Sequence, residues 1–442
     1  PLLGIGTRMI FTSSPNKLLR NLLGFKELIV TSHDMLPRKG ILHLWVKPHK
    51  NGACCPECAR RCKLVRRSRS KAARDSRTWR DIPAGGLIVT LHYSPREIYC
   101  PTHGRRQEEI PWAAPMSRNT LRLECQLLHL CKAMTQKEAA AQLGIPASTV
   151  ADALHRVIAR CREGHKIRGL KNLGIDEISY KKRHHYLTIV YDLDRHHVVW
   201  IGEGKGRETI DGFFEKIMTK GQRARVKTAC CDMSRTYMGA IARHLPNALL
   251  VLDRFHIIKA LNEAIDEVRK EEYRAASAAD RKELKGLRFI LLKNRKNRTP
   301  EERKILADLE RSQRRIFRAC ILKDQLSHFW SYTYIGCAEK FLKRWCKSAK
   351  LSRIEPLRKF VRMVDAHWNG VMASVTGITN AVAEGINRLI RMAKNRASGF
   401  RSTNNFANMI YLIAGDLDLS AQIAPANRPR KIKPTSHKAL CL

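Results

Sequence analysis

The order in which strand and helix periods follow one another between Leu173 and Asp253 constrains the fold more than any other feature of the chain. "NLGIDEISY" reads as a strand, and "HYLTIVYDLD" and "HVVWIGEG" as two more, joined as a hairpin through Asp194, Arg195 and His196. "RETIDGFFEKIMTK" takes the helical period, "VKTACCD" is a fourth strand, "TYMGAIARHL" a helix and "NALLVLD" a fifth strand. A plain alternating βαβ sheet lacks the opening hairpin. In a sheet built from this order the first and fourth strands lie side by side and parallel. Asp176 is then expected to end the first strand and Asp232 the fourth, so two acids distant in sequence meet at one end of the sheet.

Each acid alone is weak evidence, because an aspartate at a strand end is most often a turn cap. Together on adjacent strands they need another explanation, since a carboxylate pair in a dry crevice repels itself unless cations sit between. Mg²⁺, or Mn²⁺ in its place, suits oxygen ligands. Two such ions about 3.5–4 Å apart activate an attacking oxygen and stabilise a leaving one on a phosphodiester. A third carboxylate is expected from the later helix "TGITNAVAEGINRLIRMAKNRASGF". There Asn380 and Glu384 are four apart, Arg388 and Arg391 continue their face, and Ile386, Leu389, Ile390 and Ala393 form the packing side. A surface Glu384–Arg388 pair, worth about 0.3 kcal/mol, is the plainer reading of that spacing. The rival acids are Glu177, expected on the other face of its strand, and Asp253 in "DRFH". The fold class read from this pattern is multidomain α/β with a ribonuclease-H-like catalytic core and an all-helical insertion.

The chain of 442 residues carries a formal net charge of +43, which self-repels unless a polyanion neutralises it. Nucleic acid is the expected partner, as double-stranded DNA. Upstream of the core, Cys55 and Cys58 form one knuckle and Cys100 and His103 another, separated by strand-like "LIVTLHYS". Two such knuckles around a hairpin supply four ligands to a tetrahedral Zn²⁺, the pattern of a zinc ribbon. Cys54 and Cys62 lie close enough in sequence to replace an assigned ligand. In "TQKEAAAQLGIPASTVADALHRVIARC", Thr135 with Glu138 makes a capping box and Gly144 ends the first helix. Ser148 opens a second helix, with Val150, Leu154, Val157 and Ile158 on its apolar side. That is a helix-turn-helix, expected to present Ser148, Thr149, Asp152 and Arg156 outward to a major groove. An ordinary helical hairpin is the alternative.

The boundaries read from the sequence are 1–46 for an arm of N-terminal strands, 47–110 for the zinc ribbon and 117–165 for the helix-turn-helix. Residues 171–256 and 371–418 form two parts of the core, 257–370 the helical insertion and 419–442 a basic disordered tail. No apolar run approaches the roughly 18 residues of a membrane span. "MIFTSSPNKLLRNLLGF" lacks a clean apolar core and a cleavage site, so no export signal is read. Fourteen cysteines in such a chain point to reduced thiols and a metal site, in a bacterial cytoplasm on the nucleoid.

"GIDE", "CDMSRTY", "LDRFHIIK" and "ITNAVAEGINRLIRMAKNRASGFRS" together resemble the DDE transposases of the ISL3 family of bacterial insertion sequences. "CPEC…CPTHG" and the helix-turn-helix resemble that family's amino-terminal half. The resemblance runs from about Leu22 to Ala414. It implies a metal-dependent enzyme that binds terminal inverted repeats, cleaves DNA and joins 3′-hydroxyl ends to a target. It places the triad on Asp176, Asp232 and Glu384, with two Mg²⁺ per site and structural Zn²⁺ upstream. Further DNA contacts are expected from Arg388, Arg391, Lys394, Arg396 and Arg401, and a homodimer is expected because two ends must be brought together. The alternatives are a non-enzymatic zinc and helix-turn-helix repressor, and a nuclease that cuts without joining.

Overall fold

The computed structural model describes residues 14–24, 28–49, 52–65, 76–163, 167–181, 185–278, 281, 284–311, 315–377 and 380–419. Of the tail expected at 419–442, all but Leu419 lies outside them. The chain forms two compact units, Pro1–His165 with Ile390–Leu442, and Lys166–Leu389. Among the described residues no helix is long and apolar enough to cross a membrane.

In the first unit, β1 (Leu28–Leu36), β2 (Ile41–Pro48), β5 (Arg77–Arg80) and β6 (Ile88–Tyr93) make one sheet in the order β1-β2-β6-β5. Alternation along these strands buries Leu28, Val30, Leu42, Leu44, Val46, Trp79, Val89 and Leu91 on one face. A second sheet takes β3 (Ala53–Cys54), β4 (Arg61–Leu64), β7 (Glu97–Cys100) and β8 (Gly104–Gln107) in sequence order. The expected division at residue 46 is therefore corrected. β5 and β6 leave the knuckle module and pair with the N-terminal strands, because their apolar side chains complete that larger core.

Helices Leu121–Ala133, Gln136–Gln142 and Val150–Arg162 follow. The Thr135–Glu138 capping box is present, and Gly144 takes the left-handed φ of +63° that ends the shorter helix. The second helix opens slightly later than expected: Ala147–Thr149 is a 3₁₀ turn, and Val150, Ala153, Leu154, Val157 and Ile158 are buried behind it. Residues 390–418 belong to this unit, not wholly to the core as expected. Helix Thr403–Ala414 buries Phe406, Met409, Ile410 and Leu412, and Arg162 stacks over the Tyr411 ring at 3.6 Å. Its Asn405 exchanges hydrogen bonds with Gln136 at 3.0 and 3.1 Å.

In the second unit, β9 (Asn172–Lys181), β10 (His185–Asp192), β11 (His197–Glu203), β12 (Thr228–Cys231) and β13 (Leu249–Leu252) form a sheet in the order β11-β10-β9-β12-β13. β9, β10 and β11 meander antiparallel, while β12 runs parallel to both β9 and β13. The expected neighbours, first and fourth strand, are thus adjacent and parallel. Helix Arg235–His244 buries Tyr237, Ala240 and Ile241 in a core shared with Leu173, Ile175, Phe213 and Ala229. Helices follow from Arg254–Ala275 through Glu355–Ala366 and Trp368–Ala373, around a core of Leu261, Ile265, Phe329, Leu342 and Val361.

Candidate active site

The parallel register sets the site. Thr228 pairs with Asn172 and Cys230 with Gly174, so continuing the ladder two residues brings Asp232 level with Asp176. Cys231 pairs with Leu252, and one further step brings Asp253 level with Asp232. Continued past its last pairs, the register sets Asp232 and Asp253, each just beyond its strand, level with mid-strand Asp176. Asp232 follows the last residue of β12 as expected, but Asp176 does not end its strand: β9 continues to Lys181 and pairs Asp176 with Ile189. Glu177 takes the opposite face, where it accepts a bond from Tyr237 Oη at 3.5 Å.

Burial pushes the Asp176 carboxyl up to about 6, and the charges of Asp232 and Asp253 add to that, while the Glu177 N–H and His256 oppose it. Asp176 Oδ1 accepts from the Glu177 backbone at 2.8 Å, and Asp232 Oδ1 from Ser234 at 2.9 Å. Asp253 accepts from His256 Nδ1 at 3.0 Å and caps helix Arg254–Ala275 through the Phe255 N–H. His256, which the sequence reading did not single out, is held more basic than usual by its bond to Asp253 and by the other two aspartates. These carboxylates repel one another and have one imidazole as compensation, though their oxygens do not gather as closely as the Cys/His group described below. That is the environment a hard divalent cation relieves.

Helix Ala381–Arg396 carries Glu384, which is exposed. Ile386, Ile390 and Ala393 are buried on its packing side as expected, but Leu389 is not. Leu389 is 50% exposed, whereas Asn380 and Asn387 are buried. Asn387 takes that place because Tyr191 Oη donates to its Oδ1 at 2.5 Å and its Nδ2 donates to Asp176 Oδ2 at 2.8 Å. Asn380 Nδ2 reaches the Ile175 carbonyl at 3.4 Å. Its Oδ1 lies so close to Gly174 that a Cβ there would come within 2.5 Å, so only glycine permits this approach.

Cys55, Cys58, Cys100 and His103 bring their ligand atoms within 4.8 Å of one another, the one such His/Cys/Asp/Glu group among the described residues. Cys55 Sγ and Cys100 Sγ each lie 3.6 Å from His103 Nδ1, and Cys58 Sγ lies 3.7 Å from Cys100 Sγ. A tetrahedron with bonds of about 2.1–2.3 Å has edges of about 3.4–3.8 Å, so the group fits Zn²⁺. Burial works against the Cys100 thiolate, but backbone donors at His103 and Thr102 outweigh it and bring Cys100 down to about 6. Glu57 sits 3.4 Å from His103 Nε2, as a group that orients a metal-binding imidazole does. Cys54 and Cys62 stay outside the group; Cys62 Sγ is bonded to the Arg60 carbonyl at 3.2 Å.

Of the expected DNA-facing residues, Ser148, Asp152, Arg388, Arg391, Arg396 and Arg401 are exposed and Thr149 and Lys394 half-buried. Thr149 turns its hydroxyl back to the Pro146 carbonyl at 2.8 Å. Arg156 does not face outward: its guanidinium lies on the fully buried Glu124 at 2.5 and 3.1 Å. Arg396 caps helix Leu121–Ala133 through the Ala133 and Lys132 carbonyls at 2.5 and 3.1 Å. A cleft of about 670 Å³ opens between the helix-turn-helix and the segment after the Glu384 helix, lined by Lys137, Asp152, His155, Arg396, Arg401, Asn404 and Asn408. Lys137, His155, Asn404 and Asn408 carry no motif, and only their placement on this cleft brings them forward.

Two family patterns match the chain: one described as "Transposase" over residues 173–410, and one described as "Helix-turn-helix domain of transposase family ISL3" over residues 108–158. The chain is 30% identical to the transposase for insertion sequence element IS1001 of Bordetella parapertussis, over 83% of this chain and 89% of that one. It is 28% identical to the transposase for insertion sequence element IS1557 of Mycobacterium tuberculosis, over 74% and 79%. Among solved structures, the Drosophila P element transposase strand transfer complex covers 67% of this chain and 92% of that chain, at 11% identity and a TM-score of 0.35, too distant a likeness to carry the fold.

Proposed function

The chain belongs to the ISL3 family of transposases, and from that premise we propose that it binds the terminal inverted repeats of an insertion sequence, cleaves the DNA there and joins the freed 3′-hydroxyl ends to a target. The core is read as ribonuclease-H-like, from its sheet order and the parallel placement of β12 beside β9. The observation that supports the reading is the parallel β12–β9 register, which, continued two residues past its last pair, brings Asp232 level with Asp176. With Glu384 from the later helix, these carboxylates would hold two Mg²⁺ ions. When bound, the pair activates the attacking oxygen and stabilises the leaving one. The protein's own part is to fix the carboxylates in a crevice and present the DNA in line with them.

Purified protein incubated with Mg²⁺ and a labelled repeat-ended duplex tests this reading. Joined products are expected. Nicks without joining would make the protein a nuclease, and intact DNA bound by the helix-turn-helix would make it a repressor.

Cys55, Cys58, Cys100 and His103 are read as a structural Zn²⁺ site. Elemental analysis is expected to find one zinc per chain, lost in Cys58→Ser; unchanged zinc in that variant would remove the assignment. DNA is read as lying along the helix-turn-helix and the cleft beside it, where Lys137, Arg396 and Arg401 face phosphates. Each phosphate contact adds about 0.9 to the log–log salt slope on duplex DNA, so binding is expected to weaken steeply with salt. A slope near zero would contradict a large cationic footprint. Two copies of the chain would pair the two ends.

A further inference from the structure

We infer that Asn387 is a positioning residue for the first carboxylate of the active site, with Tyr191 holding the other end of its amide. The inference rests on the reading of Asp176 as a metal-holding group.

Asn387 lies three residues after Glu384, so the two share one side of helix Ala381–Arg396. It is 3% exposed. A buried asparagine must place both ends of its amide, and the neighbours here allow one orientation. Tyr191 is fully buried, and its hydroxyl donates to Oδ1 at 2.5 Å. That leaves the NH₂ end for Asp176, whose Oδ2 accepts at 2.8 Å. A carboxylate cannot donate, so a reversed amide would set two acceptors against each other at Asp176 and lose the bond.

Two donors then fix the Asp176 carboxylate: the Glu177 N–H on Oδ1 and Asn387 Nδ2 on Oδ2. Each oxygen keeps further lone-pair capacity for a cation. The helix that brings Glu384 therefore also aims Asp176, and one rigid element sets two of the three carboxylates. Groups that hydrogen-bond a metal-ligating carboxylate in this way contribute about 10–100-fold to metal affinity.

The test is Mn²⁺ binding to the zinc-loaded full chain without DNA, read by electron paramagnetic resonance, beside the melting temperature and DNA binding in the absence of Mg²⁺ and Mn²⁺. Asn387→Ala is expected to weaken Mn²⁺ binding about 10–100-fold, with melting and DNA binding unchanged. Tyr191→Phe removes one hydroxyl and is expected to shift affinity the same way by less. Wild-type Mn²⁺ affinity in Asn387→Ala overturns the inference. If Asn387→Ala also melts early, Tyr191→Phe decides: weakened binding sustains the inference and unchanged binding overturns it. Asp176→Asn separates the two levels. If it abolishes Mn²⁺ binding while Asn387→Ala does not weaken it, only the positioning role fails. If Asp176→Asn binds Mn²⁺ normally, the carboxylate site itself is misread.

Discussion

Glu384→Gln is expected to cut a repeat-ended duplex orders of magnitude more slowly than the unaltered chain while binding it at least as tightly. The substitution keeps the shape of the side chain and much of its hydrogen bonding, and removes one negative charge. Glu384 is exposed, so the change costs the fold little. The loss falls on the cation site, where a missing carboxylate lowers affinity and leaves the attacking oxygen poorly activated. Binding gains slightly, since a charge that repels phosphate is gone. Asp176→Asn and Asp232→Asn are expected to match it, and combinations are expected to be no worse than the singles, because the three act as a unit. Asp253 is the discriminating control. The continued register sets it level with Asp232, yet its carboxylate is engaged by His256 at 3.0 Å and by the Phe255 N–H. Asp253→Asn is therefore expected to retain substantial cleavage at saturating protein. Normal cutting by Glu384→Gln beside a dead Asp253→Asn would move the third carboxylate to the fifth strand.

Much of this site is legible because β-strands carry their geometry in their spacing. Once the order of strands is read, Asp176 and Asp232 fall on neighbours, and the register completes the argument. Asp176 in mid-strand was less legible, because aspartate is depleted in strand interiors and reads as an end. Asn387 was invisible for a different reason. Local periodicity sorts residues by polarity, so it assigned Leu389 to the packing side and Asn387 to none. The partners that bury Asn387 lie at Tyr191 and Asp176, on strands far back in the chain. The same holds for β5 and β6. Their alternation was plain, but nothing in it says which of two nearby sheets they join. The two Cys/His knuckles were readable from spacing, while setting Cys54 and Cys62 outside the group of four needed distances.

Arg156 gives the second large effect, and it is an effect on the fold. As an outward reader of base edges its loss would weaken repeat binding alone. Instead its guanidinium holds Glu124, which is fully buried and also accepts from Ser117 Oγ at 2.9 Å. Removing one partner of such a pair leaves an uncompensated buried charge, which costs about 3–5 kcal/mol. Arg160 stays at 3.5 Å from the other Glu124 oxygen, so the cost of Arg156→Ala is expected near the lower end, about 3 kcal/mol. Thermal melting is expected to show the transition of the first unit moving down, with repeat and random DNA losing affinity together as that unit loosens. The pair itself need not stabilise the fold. Replacing both residues in Glu124→Met/Arg156→Met removes the buried carboxylate with its main partner and costs only the longer Arg160 contact, and such exchanges are often neutral or better. The double variant is therefore expected to melt well above Arg156→Ala. A fully stable Arg156→Ala that loses repeat binding but not random-DNA binding would return Arg156 to the groove and make the ion pair incidental.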